Sequence, residues 1–160
     1  MLSIRPATID DAALLTAMIR ELAEYEHLAH EVSMTEADIL RDGFGPQPKF
    51  RSVIALWEGE PVGYAVFFEF YSSFQGRAGL FLDDLFVRPA SRQHGIGTAL
   101  FARVANIAER EGRTLIKLSV LDWNQAAIDL YKALGGEFLD EWREVVLTGN
   151  ALHKLAEKDS

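Results

Sequence analysis

Between an apolar strand and a long amphipathic helix the chain reads Arg92-Gln93-His94-Gly95-Ile96-Gly97-Thr98, and this turn limits the fold more than any other stretch. The preceding run, Ala78 to Val87, is strand-like. After the turn, Ile96, Leu100, Val104 and Ile107, with Ala99 and Ala108, recur at a helical period until Gly112. A strand that passes through glycines into a helix presents successive backbone N–H groups at the positive helix end, a place for phosphate oxygens. Glycine also serves wherever a helix start must turn tightly, so the spacing alone leaves both readings open. Two phosphate-binding folds are excluded. Leu100 stands where a dinucleotide fingerprint needs its third small residue, and no Gly-Lys is followed by Ser or Thr as a P-loop requires.

The remaining pattern alternates strands and helices. Leu2 to Arg5 reads as a strand ended by Pro6, and Thr8 is placed to cap a helix whose first turn carries Asp10 and Asp11. Leu14, Leu15, Met18, Ile19, Leu22 and Tyr25 give that helix one apolar stripe. A shorter helix follows, capped by Ser33 or Thr35, with Glu36 three residues after Ser33 and Gly43-Phe44-Gly45-Pro46 as its stop. Ser52–Trp57 and Val62–Phe70 form a hairpin about Glu58-Gly59-Glu60-Pro61. Beyond the long helix, Leu115–Leu121 reads as a strand, Asn124–Leu134 as a helix closed by Gly135-Gly136, and Trp142–Thr148 as a last strand before a charged tail. The order βααβββαβαβ describes an α/β fold with antiparallel hairpins first and parallel crossovers later.

Composition narrows the function. The chain of 160 residues fits one domain, 1–160, and its 49% apolar and 25% charged residues are those of an ordinary globular protein. A net charge of -8 disfavours nucleic acid and anionic membranes as partners and favours cations. With no Cys, disulfides, thiolate metal sites and a Cys nucleophile are out. His27 and His30 among acids read as a solvated helix end, so no metal is expected. The first residues are too polar for a signal peptide and no long apolar run occurs, which makes the cytoplasm the expected location.

The segment Arg92 to Gly97 resembles the Arg/Gln-x-x-Gly-x-Gly/Ala acetyl-CoA signature of GNAT acetyltransferases. Ile4-Arg5-Pro6-Ala7-Thr8, Glu21 to Glu26, Asp42-Gly43-Phe44-Gly45, Leu82 to Val87 and Trp123-Asn124-Gln125 are similar to diamine (spermidine/spermine) and thialysine N-acetyltransferases, a likeness running from about residue 2 to 147. The resemblance implies a mixed, V-shaped sheet of about six or seven strands flanked by about four helices, opened between Ala78–Val87 and Leu115–Leu121 for the pantetheine arm. It implies acetyl-CoA as co-substrate, bound by Leu85, Phe86 and Val87 at the pantetheine, by Arg92, Gln93, His94, Gly95, Ile96, Gly97 and Thr98 at the pyrophosphate, and by Asn124, Gln125, Ala126 and Ala127. His94 departs from the lysine or aromatic residue common there. The acceptor implied is a small primary amine, with Tyr25 and Glu26 lining its groove, and the assembly implied is a homodimer.

Acetyl transfer to an amine needs a neutral nucleophile, a polarised thioester and a proton for the leaving thiolate. Asp83 and Asp84 are neighbours on a strand, so their side chains point to opposite faces unless a bulge intervenes. By themselves they read as solvated carboxylates; the resemblance gives Asp83, where relatives usually carry Glu, the catalytic role of meeting the amine and accepting its proton through water, and Asp, one methylene shorter, also suits binding of the ammonium group. Tyr131 stands two helical turns after Asn124 on the same face. A phenol titrating at about 10 stays protonated beside a thiol titrating at about 8.5. Tyr131 by itself reads first as helix packing with Ile128 and Leu134, the commoner place for a single aromatic, and the resemblance makes it the general acid. Other readings are acetylation of an amino acid, an aminoglycoside or a protein N-terminus, an acyl-CoA sensor without turnover, and a structural dimer module.

Overall fold

Glu58 and Gly59 both hold positive φ, 49° and 82°, the two-residue turn whose twist matches antiparallel strands, and it joins β2 (Arg51–Trp57) to β3 (Glu60–Ser72). The computed structural model describes residues 1–159. Around that hairpin stand β1 (Leu2–Pro6), β4 (Arg77–Val87) and β5 (Ile116–Lys117), in the order β1-β2-β3-β4-β5. The first three pairings are antiparallel and β4–β5 is parallel. The chain divides into two compact units, Met1–Leu121 and a second that begins at Asp122.

Both faces of the sheet are covered. The apolar face of α3 (Ile96–Arg110), with Ile96, Leu100, Val104 and Ala108, packs on Val53, Ala55, Ala65, Phe67, Leu80 and Leu82. On the other face Ala12, Leu15 and Met18 of α1 (Ala12–Tyr25) and Ile39 of α2 (Glu36–Phe44) pack on Ile54, Tyr64, Val66 and Phe86. Each large side chain sealed in this way contributes roughly 1.5–3 kcal/mol. Thr8 opens the first helical segment: its N–H donates to Asp11 Oδ2 at 2.7 Å, and Arg5 clamps the same carboxylate at 2.7 and 2.9 Å. At α2 the capping residue is Thr35 with Asp38, whose N–H donates to Thr35 Oγ1 at 3.4 Å, so the alternative of Ser33 with Glu36 is not used.

The second unit holds α4 (Gln125–Ala133), on which Asn124 Oδ1 accepts from Ala127 N–H at 3.3 Å, and α5 (Gly149–Ala156). Here the structure differs from the sequence expectation. Trp142–Thr148 forms no strand, and the tail expected beyond it is helical, so the described residues hold five strands and five α-helices. A β-rich composition makes a strand only when a neighbour accepts its ladder, and Val145 and Val146, 86% and 76% exposed, have no such cover. Leu115–Leu121 likewise narrows to the two residues of β5.

Candidate active site at the open end of strand four

Strand β4 changes character along its length. Leu80 and Phe81 pair with Ile116 and Lys117 of β5, and from Leu82 to Val87 the strand pairs with β3 alone. This is the opening expected between the two strands. The N–H of Arg88 donates to Val62 O at 2.8 Å, and ladder hydrogen bonds alternate in direction. Phe86 therefore turns its main chain toward β3, while the main-chain groups of Leu85 and Val87 face the open edge. Val87 O already accepts from Arg92 Nε at 2.9 Å.

The same half of β4 carries a bulge. Val66 pairs with Asp84 and Phe67 with Leu82, which leaves Asp83 as the extra residue. Its effect appears in the packing: Leu80, Leu82, Leu85 and Val87 all serve the α3 side of the sheet, although an unbroken period of two would separate Leu82 from Leu85. Asp84 lies with Phe86 on the α1 side. Asp83, freed from the ladder, is close enough to act on it electrostatically. The rule that adjacent strand residues diverge is set aside here by one inserted residue.

Four groups meet there. Tyr64, fully buried on β3, donates its hydroxyl to Asp84 Oδ2 at 3.0 Å. Glu26 follows the last turn of α1, and burial, then the charge of Asp83, raises it above the usual carboxylate range. Desolvation raises Asp83. Asp84 is pushed up to about 7 by burial, then by Asp83 and Glu26, against a lowering by the Tyr64 hydrogen bond. Burial and the charge of Asp84 hold the Tyr64 phenol well above its ordinary value, so it remains a donor. Carboxyls without a paired cation lose hydration and gain only one another's repulsion, which favours protons or an incoming cation.

Arg92 connects this patch to the glycine turn. Its guanidinium lies 4.2 Å from the ring centre of Tyr25 and 5.9 Å from that of Phe86, so its side chain braces the end of α1. Arg88 assists, with paired bonds of 2.9 Å to both Glu21 oxygens and one of 3.0 Å to Pro61 O. In the turn itself Gln93 and Gly95 stand at φ 70° and 72°. Such angles cost a non-glycine residue about 1–2 kcal/mol, and they rotate successive amides toward one side. Ile96, Gly97 and Thr98 open α3, where backbone N–H groups have no acceptor within the helix. A Cβ at Gly95 would touch nothing within 4 Å, so that glycine serves the backbone angle and leaves space beside the amides. His94 stacks on Trp57 with ring centres 5.1 Å apart. Gln125 to Ala127 form the first turn of α4 and Tyr131 its last.

The family model for the acetyltransferase (GNAT) family matches residues 15–135. The chain belongs to this family. The GNAT fold is also that of an aminoglycoside N-acetyltransferase solved in complex with CoA, 20% identical, with a TM-score of 0.72 over 94% of this chain and 95% of that one. The thialysine N-epsilon-acetyltransferase of Sus scrofa is 40% identical over 97% of each chain. The spermidine/spermine N(1)-acetyltransferase-like protein 1 of Homo sapiens is 34% identical over 82% of this chain and 20% of its own length. As a GNAT member the chain is an N-acetyltransferase, and members of this family use acetyl-CoA as co-substrate.

Tyr64 is the candidate that sequence reasoning passed over, and Asp84 the one it weighed beside Asp83 without choosing. A signal was present for one of them: the apolar spacing 80, 82, 85, 87 skips a step across Asp83 and Asp84. Tyr64 lies inside an apolar run and carries no such mark.

Proposed function

We propose that this GNAT enzyme transfers the acetyl group of acetyl-CoA to a primary amine of a small di- or polyamine or thialysine-like molecule, by direct attack in a ternary complex. One observation carries the reading: a glycine turn at a helix start follows the strand whose open half carries a group of carboxyls that, among the described residues, have no cationic partner, with Arg92 over Tyr25 between them. Anionic cofactor and cationic acceptor are opposite in charge and need such adjacent, opposite receptors. The amides of Gln93 to Thr98 hold the pyrophosphate, and the open edge at Leu85 and Val87 bonds the pantetheine. Asp83 receives the reacting ammonium, while Glu26 and Tyr25 receive a second cationic end. Tyr131 donates the proton to the departing thiolate. Acetyl-CoA supplies the activated acyl group; the chain orients it and manages protons.

Thiol release from acetyl-CoA tests this with thialysine, lysine, spermidine, putrescine and a control without acceptor. The stronger likeness to thialysine enzymes puts thialysine first in that panel. Release with one amine and none in the control is expected. If no amine gives release while acetyl-CoA still raises the melting temperature, the chain is a sensor or takes another acceptor. Replacing Tyr131→Phe is expected to lower kcat by about 10²–10⁴ with acetyl-CoA affinity retained, and unchanged turnover removes Tyr131 from the mechanism.

A further inference from the structure

We infer that Asp84, oriented by the buried Tyr64 hydroxyl, takes the proton from the acceptor's ammonium group, while Asp83 and Glu26 hold the cation in place. The inference rests on the reading of the chain as an amine acetyltransferase and assigns its base, a role the sequence leaves between two adjacent aspartates.

Geometry separates the two. Asp83 is the unpaired residue of the bulge and is exposed, so nothing in the ladder fixes its carboxylate. Asp84 is half-buried and pinned through Oδ2 by a phenol that has no exposed surface of its own. With one oxygen held, Oδ1 is the one left to approach substrate, and its direction is set by two strands. In the transfer an N–H bond of the ammonium breaks, its electron pair stays on nitrogen, and the proton forms an O–H bond at Oδ1. The neutral nitrogen then forms the C–N bond as the thioester C–S bond breaks, the thiolate takes its proton from Tyr131, the second N–H proton passes through water to restore the phenol, and the proton on Asp84 leaves to water past the exposed Asp83.

Proton affinity favours the same residue. An alkylammonium group titrates at about 10, so an ordinary carboxylate at about 4 is a poor acceptor. A carboxyl at about 7 shortens that climb and is still largely ionised in slightly alkaline solution. The groups facing it are Tyr64 from β3, Asp83 from β4 and Glu26 from the end of α1, with Arg92 above the Phe86 ring. The hydroxyl of Tyr64 favours the ionised form and the two acids oppose it.

The experiment is the pH profile of kcat and kcat/KM for wild type, Tyr64→Phe, Asp84→Asn and Asp83→Asn, with the best amine of the panel. Loss of the Tyr64 donor destabilises the ionised carboxyl, so the acidic limb of kcat/KM moves to higher pH. The rate falls roughly tenfold near pH 6 and recovers in alkali. Asp84→Asn lowers kcat at least about a hundredfold, whereas Asp83→Asn acts mainly on the KM of the amine. An acidic limb that stays in place in Tyr64→Phe overturns the inference, as does wild-type turnover in Asp84→Asn. Tyr64→Phe keeps the buried ring, so its profile decides the matter even if Asp84→Asn does not fold. Wild-type enzyme inactive toward every amine defeats the amine reading and this inference together, while active enzyme with indifferent variants defeats the inference alone.

Discussion

Two groups of carboxylates at different places on the sheet show opposite electrostatics. Glu111, after α3, is gripped by Arg51 at 2.7 and 2.8 Å and by Arg113 at 3.1 Å, and Arg113 also binds Glu69 at 2.7 Å. These partners draw Glu111 down to about 2, the Arg51 hydrogen bonds contributing most. Asp84, within the other group, has a phenol and two more acids as its neighbours and sits at about 7. A carboxylate given its own arginine is a fastener; one left among acids keeps its capacity for a cation or a proton. The titration of an acidic residue in this enzyme therefore follows burial first and the charge of its neighbours second, unless an arginine hydrogen-bonds it directly.

The contrast is broken most directly by stability measured against pH. A carboxyl raised from about 4 to about 7 binds its proton more tightly folded than unfolded, so its ionisation costs stability progressively as pH rises through that window. Asp84→Asn should gain on wild type between pH 4 and pH 7, by at most about 4 kcal/mol in urea denaturation. A difference that stays constant with pH would mean that Asp84 is not strained by burial. Next in size, Asp83→Asn should raise the KM of a diamine about tenfold, worth about 1.4 kcal/mol, and equal KM values would detach Asp83 from the amine.

The smallest effect belongs to the fastener. Glu111 is lowered on folding, so its contribution is present above about pH 4.5 and is lost as the pH falls toward about 2. The side chain remains 34% exposed and salt-screened, so Glu111→Gln should cost no more than about 1 kcal/mol at pH 7, and less in high salt. A larger or salt-independent loss would show that the network does more than pin two elements together.

Much of the sheet was legible because its signals are local. The two-residue turn at Glu58-Gly59, the stripe of α1 and the glycine turn into α3 each follow from a few adjacent residues. What escaped depends on partners far away in sequence. Trp142–Thr148 has strand composition and no strand, because a ladder needs a neighbour that composition cannot supply. Among the candidate residues, Gly95 and Gly97 were readable from backbone chemistry, while the emphasis on Asp83 came from family likeness. Tyr64 was invisible: it stands 20 residues before Asp84, and only strand pairing brings its hydroxyl to that carboxylate.

The amino-acid sequence by itself determined the order of strands and helices from β1 through α4, the glycine turn into α3 and the acidic balance, since periodicity, glycine and charge act over one or two turns of chain. Tertiary structure alone decided that β4 opens after Phe81, that Asp83 bulges out of register, and that Asp84 meets Tyr64 with no ion pair to it among the described residues. Register and burial are properties of paired strands, and a proton affinity is set by every charge that the fold brings within reach.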